Sequence, residues 1–434
     1  MYLIYGKGAV GQAVANLCRL QNIDFDICDD SDAIEDFSAY SYIIPSPGIP
    51  SSHRIYDTQK VIGELNFASR FLQGKHTIIS ITGTDGKSTT AHMAYEVLSR
   101  LPENKKPVYL SGNFGTPFSQ TVCDICTNNI RSSYIIVEVS SFMGYGLFFG
   151  KGANNKQYMS DYTIFTNISI DHLDWHKRSD EYIDAKMKII QNTKKCAIIN
   201  SQVHEYMKEQ GREDDFEGMS TRFFDLDIDE KKYYKDRTDG QNIVVSGRKK
   251  YTLSETKFSG NHNAMNLLSV VVLCNEMKIC SKKVAKTLSF LHPLSHRLEH
   301  IDTKQSIDIV EDSKSTSAQS LEAALSSFGN TRNLLLIVGG HDKGDDFEYL
   351  LPRFQKRVKY MVCMGDTAQK FETIAKRTNI EHYLTDNMKE AVNWLFQKGE
   401  KNDVLLLSPG CSSFGLFRDY LDRANQFREA VHTL

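Results

Sequence analysis

A chain of 434 residues is too long for one ordinary core and implies two or three domains. With 41% hydrophobic and 24% charged residues it is not a disordered chain, and a formal charge of −2 offers nothing to nucleic acid or an anionic membrane. No apolar run reaches the length of a spanning helix, Met1 leads straight into a strand without a leader pattern, and the nine cysteines are scattered. Cys123-x-x-Cys126 has no second pair to complete a zinc site, so reduced thiols and a cytoplasmic protein are expected.

Tyr2-Leu3-Ile4-Tyr5 and Gly6-Lys7-Gly8-Ala9-Val10-Gly11 read as a strand and a GxGxxG turn opening a helix. Asp29 follows the apolar stretch Phe25–Cys28, about where a ribose-binding acid sits. The turn alone would suit an NAD-dependent dehydrogenase. Against that, the segment closes by about Leu72, short for a full dinucleotide domain, and Phe71–Lys75 reads as a linker.

A second glycine loop comes immediately after the linker. Thr77–Ile81 is rich in β-branched residues and predicts a buried strand, and a helical segment runs from Thr89 to about Arg100. Between them lies Gly83-Thr84-Asp85-Gly86-Lys87-Ser88. Glycines let backbone N–H groups approach phosphate oxygens, the helix N-terminus adds positive potential, Lys87 can reach β/γ-phosphates and Ser88 can hold Mg²⁺. Ile81 stands where the strict GxxxxGK[ST] pattern has its first glycine.

Gly112-Asn113-Phe114-Gly115-Thr116-Pro117 is a glycine-punctuated turn. The next strand, Tyr134–Val137, ends in Glu138, a carboxylate well placed beside a phosphate loop to ligate Mg²⁺. Ile164–Ser169 reads as another strand, leading into Asp171-His172-Leu173-Asp174-Trp175-His176, which could be a transition-metal site or a polar loop and matches no strong zinc spacing. On the predicted helix Ser179–Ile190, Lys186 lies four residues after Tyr182 and four before Ile190, so apolar groups flank it on one face. Such a lysine either snorkels to the surface or, when desolvated, becomes a neutral amine able to add CO₂ and turn into an anionic carbamate.

From Glu205 to Gly240 the chain is highly charged and reads as an exposed insertion with marginal structure. A hairpin is expected from Ile243–Val245 to Tyr251–Leu253 across Ser246-Gly247, and Gly260–Asn266 opens an apolar helix, Leu267–Cys274, with Asn261 or a neighbour as cap. A second boundary falls near Ser295. Strands at Ile307–Val310, Leu334–Val338, Tyr360–Cys363 and Val404–Leu407 then alternate with helices, which predicts a mostly parallel sheet with ligand loops such as Gly365-Asp366 after its strands.

TGTDGKST resembles the TGTNGKST loop of the Mur ligases, the ATP-dependent amide-forming enzymes of peptidoglycan precursor synthesis. The likeness recurs along nearly the whole chain: Ser46-Pro47-Gly48-Ile49 is similar to the family's SPGI loop, 112–117 to GNxGxP, 171–174 to DHxD, 182–186 to the carbamylated-lysine segment, 260–266 to GxHNxxN and His296-Arg297-Leu298-Glu299 to HR[FL]E. Asp312-Ser313-Lys314-Ser315-Thr316 resembles the DSKAT stretch of the D-glutamate-adding members, and the DNPR of the diaminopimelate- and lysine-adding members is absent from the sequence.

The resemblance implies an α/β protein of three domains, each built on a mostly parallel sheet: a Rossmann-like UDP-substrate domain over 1–72, a P-loop ATP domain over 73–295 and a Rossmann-like amino-acid domain over 296–434. It implies that Gly8, Ala9, Val10, Asp29, Ser46, Gly48, Asn113, Ser140 and His172 touch the UDP-substrate. Gly83, Thr84, Asp85, Gly86, Lys87, Ser88, Thr89, Asn263, Asn266, Arg297 and Asp312 would bind ATP. Lys87, Glu138, His172 and Lys186 would be catalytic, with two Mg²⁺ ions held by Ser88, Glu138, His172 and a carbamylated Lys186. Lys314, Thr316, Lys343, Ser413 and Tyr420 would bind the amino acid, a cation and hydroxyls suiting a dicarboxylate; read alone, a solvated loop lysine is the alternative for Lys343. The expected partners are ATP, UDP-N-acetylmuramoyl-L-alanine and D-glutamate, taken by a monomer with no nucleic acid and no membrane. Ser31, Met143 and Tyr420 depart from an arginine, a glutamine and a phenylalanine of the family pattern. Another Mur ligase, a folylpolyglutamate-synthase-like ligase and a P-loop NTPase switch are the rival readings.

Overall fold

The computed structural model describes residues 1–29, 32, 34, 36–150, 157–172, 175–225, 233–238, 241–246, 249–252, 256, 258, 261–292, 294–328, 331–342 and 344–434. The chain gathers into two compact units, one of 1–256 with 263–291, the other of 257–262 with 292–434.

The first unit opens on strand β1 (Tyr2–Tyr5), helix α1 (Ala9–Leu20), β2 (Phe25–Cys28) and β3 (Tyr42–Pro45), forming a parallel sheet of order β2-β1-β3. Helix α2 (Glu64–Ser69) then ties this sheet to the remainder of the unit through buried polar groups. The Glu64 carboxylate accepts from Ser119 N (2.7 Å), Asn66 donates to Phe149 O (2.7 Å) and accepts from Tyr158 N (3.0 Å), and Tyr158 OH meets Ser80 Oγ (2.7 Å). Each of these groups would be costly if left unpaired, so together they fix one arrangement of the N-terminal third on the rest of the unit.

The rest of the first unit is built on a six-stranded sheet of order β5-β6-β4-β7-β8-β9, parallel throughout: β4 (Thr77–Thr82), β5 (Val108–Gly112), β6 (Tyr134–Glu138), β7 (Ser160–Phe165), β8 (Thr193–Asn200) and β9 (Thr221–Phe224). Its helices are α3 (Lys87–Ser99), α4 (Phe118–Thr127), α5 (Ser141–Gly146), α6 (Ser179–Gln191), α7 (Ser201–Glu209) and α8 (Asn261–Glu276). β4 lies in the middle and is covered on both faces, which explains its wealth of β-branched residues, and the one hydroxyl in its interior, Ser80, is paired with Tyr158.

Two expectations are corrected here. The strand expected over Ile164–Ser169 is β7, which begins at Ser160 and stops at Phe165. Its first half was hidden because buried hydroxyls stand in place of apolar residues, Ser160 bonding Thr163 (2.8 Å) and Thr163 bonding Thr193 (2.6 Å). The stretch 205–240 is not a marginal insertion at its start: α7 buries Val203 and Met207, and β9 adds an edge strand to the sheet. Those elements each bury one side only, so their charge dominates the local composition. The expected hairpin is β11 (Gln241–Ser246) against β12 (Lys249–Thr252), with an additional antiparallel strand β10 (Tyr233–Thr238); its turn at Gly247 lies outside the described residues. Helix α8 starts six residues before the expected Leu267, at Asn261, whose side chain is not among those described.

The second unit carries a six-stranded sheet of order β13-β14-β18-β15-β16-β17: β13 (Glu299–Lys304), β14 (Ile307–Glu311), β15 (Leu334–Gly339), β16 (Val358–Met364), β17 (Glu381–Leu384) and β18 (Val404–Leu407). β13 pairs antiparallel with β14, and the remaining pairs are parallel. Leu334–Val338 and Val404–Leu407 are buried on both faces, as their continuous apolar runs predict. The polar edge strands β13 and β17 carry no such signal.

Candidate functional site

The phosphate loop is shaped by close backbone approach. Gly83 (φ +149°) and Gly86 (φ +75°) adopt conformations that L side chains rarely take. A Cβ at Gly83 would stand 1.9 Å from Thr166 Oγ1, and one at Gly86 2.6 Å from Asn266 Oδ1. The loop is held from outside by the segment after β7: Asn167 Oδ1 accepts from Asp85 N (2.8 Å), and Thr166 Oγ1 donates to Asp85 O (2.6 Å). Thr84 Oγ1 accepts from Ser169 N (2.9 Å) and meets Tyr182 OH (2.8 Å). Lys87, the first residue of α3, folds back to donate to Thr84 O (2.5 Å), and Ser88 and Thr89 come next, buried, in the first turn. Asn266, buried on α8, borders the loop at Gly86, and Asn263 is half-buried one turn earlier on the same helix.

Glu138 closes β6, next to β4, and is buried. Its Oε1 accepts from Asn113 Nδ2 (2.7 Å), and its backbone O accepts from Asn113 N (2.9 Å). Its Oε2 is buried with no hydrogen-bond partner among the described residues. A buried carboxylate oxygen left unsatisfied is costly, and a cation would relieve it, so this donor set fits a hard, oxygen-seeking ion such as Mg²⁺.

Lys186 is 1% exposed, its Nζ donating to Gly83 O at 2.6 Å and lying 4.6 Å from the Tyr182 ring centre. Of the two readings the helix face allowed, the buried one is observed. Burial first, and the nearby Lys87 charge second, push the amine well below the usual lysine range, against the pull of Asp171, Asp85 and Glu138. His172 has φ +57° and sets Nε2 3.5 Å from Asp171 Oδ2, with its ring against Phe142. Leu173 and Asp174 lie outside the described residues. Ser140 Oγ accepts from Met143 N (3.2 Å) as the cap of α5, which leaves its hydroxyl proton to donate elsewhere. Met143 itself packs in the hydrophobic core beside Phe118 and Ile189.

At the N-terminal sheet, the loops after β1, β2 and β3 bring Gly8, Asp29 and Ser46 to one edge. Gly6 (φ +117°) passes so close to Ser46 that a Cβ would meet its Oγ at 2.4 Å, whereas Gly8 and Gly48 face open space. Ala9 and Val10 begin α1 from this edge. Ser46 Oγ is buried without a hydrogen-bond partner among the described residues. Lys7 spans Asp32 (2.6 Å) and Asp29 (3.5 Å), a contact invisible in the motif, while Ser31 lies outside the described residues.

The second unit groups a further set. Asp312 accepts from Ser408 Oγ (2.8 Å) and Leu298 N (3.2 Å). Arg297 Nε is buried without a partner among the described residues. Lys314 Nζ lies 5.2 Å from the Tyr420 ring centre, Ser413 is buried and Thr316 is half-buried. Lys343 lies outside the described residues. Sequence reasoning missed a neighbouring cluster: Glu311 Oε2 accepts from His296 Nδ1 (2.6 Å) and Arg428 Nη2 (2.9 Å), and Arg428 also reaches Glu299 (2.7 Å). Burial works to raise Glu311, but Arg428, the Ser313 amide and His296 outweigh it and hold the carboxyl below the usual range. The guanidinium already fills the cation position between the two carboxylates.

Burial raises the Asp312 carboxyl from 3.8 to about 7, against its hydrogen bond to Ser408 and the Arg297 charge. A raised carboxyl binds its proton more tightly in the folded state, so stability is lost as pH rises from about 4 through about 7. Asp312→Asn is therefore expected to gain stability relative to the parent between pH 5 and pH 8, by at most ~1.4 kcal/mol per pH unit. Denaturant melts across that range test this; a pH-independent difference would refute the assignment.

A strand, glycine loop and helix facing a buried amine and an unsatisfied carboxylate define an α/β nucleotide-binding enzyme of the phosphate-loop kind. Residues 81–274 match the Mur ligase middle domain, and 296–411 match the Mur ligase glutamate ligase domain. The chain is 31% identical to the UDP-N-acetylmuramoylalanine–D-glutamate ligase of Aquifex aeolicus, over 99% of this chain and 98% of that one. Its fold is similar to the MurF ligase of Thermotoga maritima in complex with ADP (TM-score 0.62, 16% identity, covering 100% of this chain and 94% of that one). It is similar also to the MurC UDP-N-acetylmuramate–alanine ligase of the same organism (TM-score 0.60, 16% identity, 100% and 99%). The chain belongs to the Mur ligase family.

Proposed function

We propose that this enzyme joins UDP-N-acetylmuramoyl-L-alanine to D-glutamate at the expense of ATP, a step of peptidoglycan precursor synthesis. The observation that carries the chemistry is the phosphate loop with the buried Lys186 amine against Gly83 O and the unpartnered Glu138 Oε2. The full-length likeness to a named D-glutamate ligase and the Asp312–Thr316 stretch support the choice of amino acid.

In this reading Gly83–Thr89 cradle the ATP phosphates, and Asn263, Asn266, Arg297 and Asp312 are the further ATP-binding residues that the family resemblance implies. Gly8, Ala9, Val10, Asp29, Ser46 and Gly48 hold the uridine diphosphate, while Asn113, Ser140 and His172 meet the muramoyl end. Lys314, Thr316, Lys343, Ser413 and Tyr420 receive D-glutamate. The substrate carboxylate attacks the γ-phosphorus and the bond to ADP breaks. Lys87 neutralises the charge that spreads over the transferring oxygens. The glutamate amine then attacks the acyl carbon, phosphate leaves, and the amine proton is lost to give the amide. Two Mg²⁺ ions, held by Ser88, Glu138, His172 and the carbamate of Lys186, would supply further charge neutralisation on the phosphates.

The proposed domain limits are 1–72 for the UDP-substrate, 73–295 for ATP and 296–434 for the amino acid. A monomer in the cytoplasm is the proposed state. No helix among the described residues is long and apolar enough to cross a membrane, and the cysteines are not in disulfides.

Phosphate release with ATP and UDP-N-acetylmuramoyl-L-alanine, measured against a panel of amino acids, tests the reading. D-Glutamate is expected to drive release, while L-alanine, L-lysine and meso-diaminopimelate fail. Turnover without any amino acid would point to an NTPase switch instead. Lys343→Ala is expected to raise the KM for glutamate and leave that for ATP much less affected.

A further inference from the structure

The helix Tyr420–His432 buries an arginine that no motif singled out. Arg423 is 1% exposed, with no carboxylate in hydrogen-bond contact among the described residues. Instead Nη2 donates to Ser313 O (2.7 Å) and Nη1 to Cys411 O (3.0 Å). A Cβ at Gly340 would stand 3.4 Å from Nη1, so the loop after β15 passes against the same guanidinium. These three loops leave the C-terminal ends of β14, β18 and β15, which are neighbours in the sheet. Two of them are also tied to each other, His341 N donating to Ser412 O (2.9 Å), and Gly340 N donates to Thr367 Oγ1 (3.1 Å) of the loop after β16.

We infer that Arg423 is a positioning residue for the amino-acid substrate, locking the backbones that carry Lys314 and Ser413 and setting a buried positive charge behind them. The inference rests on the proposed reading of these loops as the dicarboxylate site. Its physical basis is the planar fork of arginine, which can hold two carbonyl oxygens at a fixed separation; a lysine ammonium donates from a single point. A buried cation whose Nη groups meet only carbonyl dipoles, with Nε unpartnered among the described residues, keeps a net field that favours an anionic ligand at the loops. Burial lowers Arg423 to about 10, which still leaves it charged at neutral pH. The Cys411 thiol, Asp312 and Glu311 are the titratable groups that reach it through space, and the two carboxyls are engaged elsewhere, with Ser408 and with Arg428.

The test is steady-state kinetics of the full-length enzyme and of Arg423→Lys and Arg423→Gln, with folding followed by thermal melts. The KM for D-glutamate is expected to rise in the order parent, Arg423→Lys, Arg423→Gln, by about tenfold or more for the last, with the KM values for ATP and the UDP-substrate within about twofold. The intermediate rank of lysine separates lost charge from lost fork geometry, a distinction that a drop in melting temperature cannot make. An unchanged glutamate KM in either folded variant overturns the inference, as does a parallel rise in all three KM values. If Arg423→Gln does not fold, Arg423→Lys decides alone. A parent enzyme that does not select D-glutamate removes the underlying reading and this inference with it; one that selects it while both variants match the parent removes the inference only.

Discussion

Lys87→Ala is expected to abolish measurable turnover while leaving the melting temperature close to that of the parent enzyme. Lys87 is half-buried at the start of α3, and its one described hydrogen bond is to Thr84 O within its own loop. Losing such a bond costs folding about 0.5–1.5 kcal/mol. The loss to the transition state is expected to be larger, because in the proposed reading the cation faces the phosphoryl group at the moment its charge spreads. Removal of one preorganised electrostatic partner typically costs about 10²–10³ in rate, or ~3–4 kcal/mol, and a full charge at phosphoryl transfer stands at the upper end or beyond. Phosphate release and a thermal melt on the same preparation check both halves. Near-normal turnover in a folded variant would remove Lys87 from the phosphoryl site.

The second large effect is expected at Lys186. Its amine is buried, pushed toward the neutral form by desolvation and by Lys87, and surrounded by Asp171, Asp85 and Glu138. A neutral amine is the form that adds CO₂, losing a proton to give a carbamate anion. That product would present oxygen rather than nitrogen beside Glu138 Oε2, suiting a hard divalent ion. Lys186→Ala is expected to be nearly inactive and partly restored by acetate or formate. Independently of activity, ¹³C-labelled CO₂ should give a carbamate carbonyl resonance in the parent enzyme that is missing from Lys186→Ala. An unmodified amine in a nucleotide-bound crystal grown with ample CO₂ would refute the modification, leaving the other site roles to be judged separately.

Several features were decided by the sequence itself because they depend on local geometry. β4 is rich in β-branched residues, Gly83 and Gly86 need backbone angles that other residues avoid, and the 3.6-residue period of α6 puts Lys186 among Tyr182, Ile183 and Ile190. The alternation of strands and helices in the last third likewise foretold a parallel sheet, with β14, β15 and β18 within about a residue of their expected limits.

Tertiary structure alone decided what the same local signals leave open. Thr166–Ser169 has the composition of a strand end, but Thr166 and Asn167 are used to clamp Asp85 of the phosphate loop, so the strand stops before them. Lys186 could have snorkelled, and only the packing of α6 against the rest of the sheet turns its amine inward to Gly83 O. Glu138 is a carboxylate after a strand in any reading; that one of its oxygens is satisfied by Asn113 and the other left unpaired is a property of two loops meeting. Arg423 is the limiting case. Its partners, Ser313 O and Cys411 O, are backbone atoms, 110 and 12 residues away. Backbone carbonyls are present at every position, so a side chain that binds them leaves no pairing signature in the sequence, and its role emerges only when the sheet brings the loops together.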